Sequence, residues 1–258
     1  MAEPEIEGTD ISLRAAEVAS DVSETDRPQE RRRLVSAFTR AVTTSARAAG
    51  RGTRAVRRRA SDGTGWLADQ VVAMAPRLRV RDQAALQAQF PGKSPDEIAD
   101  ALIEGATRAA AAAGGATGMA AALPVLPAFP AEIVAETLVL VGIELKLVAE
   151  LHEAYGSPAP GKFTERMSAY IAAWSHRRGV FMIEGGLIFA AGSPLARLLR
   201  RRLVARAGRS AFSLGPALTG AAAGALFNRR ETRRLGREIQ RDLRQHAIEA
   251  PKGPWWQR

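Results

Sequence analysis

Between Arg108 and Glu132 the chain carries no charged residue, and this gap constrains the fold more than any other feature. It lies inside a longer unit, residues 94–156, that begins SPDEIADALIEGATRAAAAAGGATG, turns through ALPVLPAFP and returns through EIVAETLVLVGIELKLVAELHEAYG. Ser94, Pro95 and Glu97 supply an N-cap, a first-turn proline and a capping-box acid, so a helix is predicted to start there. Pro124, Pro127 and Pro130 forbid a continuous helix through the middle. The unit therefore reads as a helical hairpin with an Ala/Gly-rich first arm, a proline-rich tip and an aliphatic second arm. About 20 apolar residues are enough to cross a bilayer, but alanine, glycine and proline drive insertion only weakly. A close-packed core arm is the expectation, with a hairpin dipping into lipid as the alternative.

Gly114 and Gly118 give the first arm a small-xxx-small face that allows close backbone approach. The same spacing returns at Gly220 and Gly224 in a second uncharged segment, SAFSLGPALTGAAAGALFN, which ends at Asn228. These glycines are the predicted helix-packing positions. On the second arm, Glu132, Glu136, Lys146, Glu150 and Glu153 fall in one polar stripe at helical spacing. Glu144 does not. It sits close in angle to Ile133, Leu140 and Leu151, where a carboxylate must pair with a cation, accept buried hydrogen bonds or shift its pKa upward. Glu144 is the candidate buried charge, either an architectural ion pair or, as perturbed carboxylates sometimes are, part of a functional site.

A chain of 258 residues with 46% hydrophobic content, little aromatic content and no cysteine favours an all-α fold with one sizeable core. Charge divides it further. Residues 1–30 carry nine acids and two arginines, and residues 31–60 carry ten arginines and no acid. The organisation expected is a disordered acidic tail over 1–28, a basic helical extension over 29–92, the main helical domain over 93–249 and a short tail over 250–258. In the extension Leu34, Phe38, Ala41, Val42 and Ala49 form an apolar stripe, while Arg33, Arg40 and Arg47 recur every seven residues along one flank. That row is the candidate contact with an anionic membrane surface; the alternative is a surface helix docked on the core with its arginines solvated. Downstream, Met167, Tyr170, Ile171 and Trp174 mark an amphipathic core helix, and Leu235, Ile239 and Leu243 form the apolar line of RRETRRLGREIQRDLRQ.

Catalytic patterns are missing from the sequence. His152, His176 and His246 lie far apart without an HExxH pair, GGATG lacks the lysine of a phosphate loop, and there is no GxSxG. The expectation is a non-enzymatic protein with no cofactor, no metal and no small-molecule substrate. The N-terminal MAEPEIEGTD has no apolar core segment of a secretory signal, so a cytoplasmic protein, peripheral at the inner membrane face, is expected. A net charge of +10 and a pI near 11.1 keep open a second class, a soluble basic protein that binds nucleic acid or a partner protein.

Taken together, IADALIEGATRAAAAAGGATG at 98–118, the return ending AELHEAYG, and PALTGAAAGALFNRRETRRLG with Gly220, Gly224 and Asn228 resemble the EcsC-like family of bacterial proteins. The resemblance covers roughly residues 94–245. It departs at the tip, where PAFPAEIVAE displaces the acids to Glu132 and Glu136. The resemblance implies an all-helical, membrane-linked protein with no assigned reaction.

Overall fold

The computed structural model describes residues 3–50, 63–120, 129–178, 180–183, 186–189 and 216–249, with side-chain surroundings for 10–44, 68–114, 134–178 and 224–246. Among these residues the fold is all-helical apart from one short ribbon. The helices are α1 (Glu3–Glu24), α2 (Pro28–Gly50), α3 (Gly63–Met74), α4 (Gln83–Gln89), α5 (Pro95–Ala120), α6 (Phe129–Ala154), α7 (Phe163–Arg178) and α8 (Pro216–Glu249). A 3-10 turn, Ala75–Arg77, follows α3. The ribbon pairs β1 (Val180–Ile183) with β2 (Gly186–Phe189) in antiparallel register. Its residues come from the apolar run GVFMIEGGLIFAAG, whose β-branched and aromatic side chains suit a strand.

The predicted hairpin is α5 and α6. Its start is the capping box: Ser94 Oγ accepts from the Glu97 amide at 3.3 Å, and Glu97 Oε2 accepts from the Ser94 amide at 2.9 Å. Its end is a left-handed glycine. Gly156 has φ +62, its amide bonds to the Glu153 carbonyl at 3.0 Å, and Ser157 reaches back to His152 at 2.9 Å, closing the last turn of α6. The prolines of the tip at 124 and 127 lie outside the described residues.

α6 is the axle of the molecule, touching every other helix among the described residues. From Ala135 to Leu151 each of its residues is buried, including Glu136, Glu144, Lys146 and Glu150. The polar stripe expected on this arm is therefore not a solvated face. A helix surrounded on all sides has no solvent side to give its charges, and each must find a partner inside the protein.

Two further expectations are corrected. The acidic N-terminus is a helix, not a disordered tail: Ala15, Ala16, Ala19 and Val22 of α1 are fully buried, and α1 packs on α6. The contact is close because Gly142 lets the backbones approach; a Cβ at Gly142 would stand 2.6 Å from Ala19 Cβ. Nor does a domain boundary fall at residue 92, because one core cluster runs from Ala15 to Leu243 through α1, α2, α3 and the hairpin. Helix α2 does form, with Val35, Phe38 and Val42 buried against α5 and α6. Its apolar stripe is thus covered by the protein's own core. The segment RDQAALQAQF is a separate helix, capped by Asp82 accepting from the Ala85 amide at 2.8 Å.

Candidate functional site

Glu144 lies 2% exposed at the centre of α6, and four donors meet it. Arg178, near the end of α7, binds both carboxylate oxygens, with Nε 2.9 Å from Oε2 and Nη2 on Oε1. Trp174, one turn earlier, donates Nε1–H to Oε2 at 2.8 Å. Thr232 of α8 donates its hydroxyl to Oε1 at 2.8 Å. Arg178 and Trp174 reach the same carboxylate because positions four apart share a helix face. A cation or buried hydrogen-bond donors are the expectation at Glu144, and here both meet it. Arg178 also approaches Glu231 at 3.5 Å, so one buried guanidinium serves carboxylates of α6 and α8.

A second cluster surrounds Lys146 and Glu150, which lie four apart on α6 and are joined at 2.7 Å. Arg81 closes on Glu150 with Nε at 2.8 Å from Oε1 and Nη2 at 2.6 Å from Oε2, and its backbone amide bonds to the same Oε1 at 3.2 Å. Lys146 Nζ also reaches Glu24 Oε1 at 3.1 Å and the Arg79 carbonyl. The cluster ties α1 and the connection before α4 to the axle. Farther along, Glu153 takes Arg166 of α7 at 2.8 Å. At the other end Asn228 Nδ2 donates to Glu136 Oε1 at 3.3 Å.

Asn228 explains why the glycines recur. A Cβ built on Gly114 would stand 2.8 Å from Asn228 Nδ2 and 2.8 Å from the Gly224 carbonyl oxygen. Gly114 and Gly224 thus let α5 and α8 approach until the Asn228 amide, 1% exposed, lies over Gly114 and reaches Glu136 of α6. Three of the predicted packing residues are brought together here. Gly118 and Gly220 lie in α5 and α8, with their surroundings outside the described residues.

From this crossing α5 and α8 run antiparallel, joined by a ladder of ion pairs. Glu104 meets Arg233, Asp100 meets Arg237, and Asp96 meets Arg244 at 2.8 Å. The Tyr155 hydroxyl and Arg244 hold the Asp96 carboxyl below its ordinary range, and Gln240 and Arg237 do the same for Asp100. For Glu104 desolvation opposes the shift, but Arg108 and Arg233 prevail and its carboxyl is also lowered. This ladder was not anticipated. The acids at 96, 100 and 104 recur every four residues, and that spacing was the available signal.

The arginine row behaves differently. Arg33 and Arg40 are exposed, as is Arg32, and none of the three joins an ion pair among the described residues; Arg40 Nε only caps the Ser36 carbonyl at 3.3 Å. The side chain of Arg47 lies outside the described residues. The acids of α1 and the following turn are directed elsewhere, Asp21 and Glu24 to Arg79 and Asp26 to the buried Arg31.

Beside the Lys146 cluster is a cavity of about 280 Å³, lined by Ser23, Glu24, Phe90, Arg108, Lys146 and Glu150 among others. Its charges are largely joined to one another: Arg108 to Glu104, and Lys146 to Glu24 and Glu150. Among the described residues no three His, Asp or Glu side chains are grouped to hold a metal ion. No helix among them is long and apolar enough to cross a membrane. His152 is held below its usual range by burial, and its Nδ1 lies 3.0 Å from the Ser157 carbonyl, a contact that fixes the ring at the end of α6. The buried charges are thus occupied in joining helices, and the uncommitted charge is on the outside. No protein-family model, no curated protein and no solved structure matches this chain.

Proposed function

We propose that the protein is a non-enzymatic helical scaffold that attaches peripherally to an anionic membrane surface through exposed arginines, in keeping with its resemblance to the EcsC-like proteins. The observation that carries this reading is the unmatched row on α2. Arg32, Arg33 and Arg40 are exposed and joined to no acid among the described residues, although the same molecule matches arginine to carboxylate along α5 and α8. Because Val35, Phe38 and Val42 are buried in the core, α2 offers charge and no apolar stripe. Attachment through α2 is therefore electrostatic, at about 1 kcal/mol per arginine near an anionic surface, and weakens as salt shortens the Debye length to about 8 Å at 0.15 M.

The test is co-sedimentation with anionic and with neutral vesicles at low and high salt, beside a DNA gel shift. Binding to anionic vesicles alone, lost at high salt and weakened in a variant with Arg33, Arg40 and Arg47 changed to glutamine, is the expected result. Unchanged sedimentation of that variant would remove α2 from the contact. A gel shift without vesicle binding would replace the membrane by nucleic acid as the partner.

A further inference from the structure

The α5–α8 pair is polar from end to end. At one end stand Asp96, Asp100 and Glu104, each on its arginine. About 30 Å along the pair from Asp96, at 1.5 Å per helical residue, is the crossing of Gly114 with Gly224, toward the end where α5 closes at Ala120 and α8 begins at Pro216. There Leu226 is 64% exposed, more than any other large hydrophobic side chain among the described residues. Arg229 and Arg230 follow at three and four residues' spacing, on the same face as Leu226, exposed and joined to no acid among the described residues. Farther along that face Arg233, Arg237 and Arg244 turn to the acids of α5. The sequence sharpens the contrast: it has no Asp or Glu between Glu104 and Glu132, and none between Glu184 and Glu231.

We propose that this acid-free end of the α5–α8 pair faces the lipid, with the Leu226 side chain entering the interfacial layer and Arg229 and Arg230 on lipid phosphates. The inference rests on the anionic-surface reading above and adds to it an orientation and an apolar contact. A single exposed leucine is ordinary on a protein surface. What sets Leu226 apart is two uncommitted guanidinium groups within one helical turn. A bilayer interface supplies anions and an apolar medium at the same depth, and arginine stems lie along apolar surface while their heads stay at the phosphates. A nucleic acid groove or an acidic protein loop would satisfy the arginines and leave the leucine in water.

The chain has no cysteine, so Leu226→Cys provides one labelling site on the full-length protein. An environment-sensitive dye there is compared with the same dye at Val72→Cys on α3, where the native side chain is 52% exposed. Vesicles of phosphatidylserine and phosphatidylcholine should shift the emission at 226 to the blue and leave that at 72 unchanged. Arg229→Gln with Arg230→Gln should weaken vesicle binding roughly 5-fold per arginine, about 25-fold together. Leu226→Ser should weaken it about fourfold, the effect of roughly one buried methylene. Vesicle binding with an unshifted dye at 226, with equal shifts at 226 and 72, or with undiminished affinity of the double glutamine variant overturns this inference and leaves the anionic-surface reading standing. Absence of binding to anionic vesicles overturns both.

Discussion

Helices α6 and α2 each carry a line of charges beside an aliphatic stripe, and the protein treats them in opposite ways. On α6 the charges among the described residues are buried and met: Glu136 by Asn228, Glu144 by Arg178, Trp174 and Thr232, Glu150 by Lys146 and Arg81, Glu153 by Arg166. On α2 Arg32, Arg33 and Arg40 are exposed and join no ion pair among the described residues, while Val35, Phe38 and Val42 are buried. Amphipathic patterning states which residues share a face. Whether that face meets water is decided by how far the helix is enclosed: α6 touches every other helix among the described residues, whereas α2 keeps Arg32, Arg33 and Arg40 exposed. A charge surrounded by protein lowers stability by several kcal/mol unless it is matched; a charge at the surface is free for a partner.

The contrast breaks most sharply at Glu144. Glu144→Ala leaves the Arg178 guanidinium buried without its carboxylate and should cost roughly 3–5 kcal/mol in denaturant melts. Glu144→Leu combined with Arg178→Met should recover most of that loss, since well-packed apolar replacements of a buried pair are often near neutral. A single variant as stable as the parent would mean that Glu144 is not buried as described.

Smaller effects come from uncharged close contacts between helices, α1 with α6 and α5 with α8. Gly142→Ala places a methyl group 2.6 Å from Ala19 Cβ, and Gly114→Ala places one 2.8 Å from the Gly224 backbone. Each should lower stability by about 1–3 kcal/mol, the usual cost of overpacking. An unshifted melting temperature for Gly142→Ala would detach α1 from α6 and restore the solvated-tail reading.

The ladder between α5 and α8 lies between the two extremes, matched but half exposed. Its three carboxyls are held below their ordinary values, so their contribution is present above the unfolded-state range and is lost as pH falls through the lower folded values. Unfolding free energy should therefore fall from about pH 5 downward, less steeply in an Asp96→Asn, Asp100→Asn, Glu104→Gln variant. Parallel pH profiles for parent and variant would show that the ladder is screened out by solvent.

The smallest expected change in stability belongs to α2. Arg33→Gln with Arg40→Gln should alter stability by no more than about 0.5 kcal/mol, as exposed substitutions usually do. If thermal melts show a larger loss, those arginines have structural partners and the contrast with α6 fails.

Local chemistry was legible in the sequence wherever it was self-contained. The Ser94–Glu97 box, the terminating Gly156 and the aliphatic run of α6 all involve neighbours within one or two turns, so spacing alone finds them. Glu144 was legible because it interrupts a stripe. Arg178 was not nameable as its partner, since it lies 34 residues away among many arginines. Lys146 and Glu150 were legible only as members of a polar stripe, because an exposed and a buried i, i+4 pair have the same spacing; only the enclosure of α6 distinguishes the two cases. The acidic N-terminus misled for a similar reason. Nine acids in thirty residues suggest a solvated tail, but Ala15, Ala16, Ala19 and Val22 make a narrow apolar edge that suffices against Gly142.

The enclosure of α6 also bears on how the chain is made. Its buried carboxylates depend on Arg81, already synthesised, and on Arg178, Thr232 and Asn228, which follow it. During translation α6 is therefore complete before the residues that neutralise and cover it exist. From Glu150 to Leu243 the ribosome must add about 90 more residues, roughly 5–20 s at ordinary elongation rates. For that interval an aliphatic helix with unpaired carboxylates waits beside α1, α2 and α5, a nascent-chain state that a chaperone or a membrane surface would shelter. Pausing of synthesis before α8 should lengthen that exposure and increase aggregation, whereas pausing after it should not.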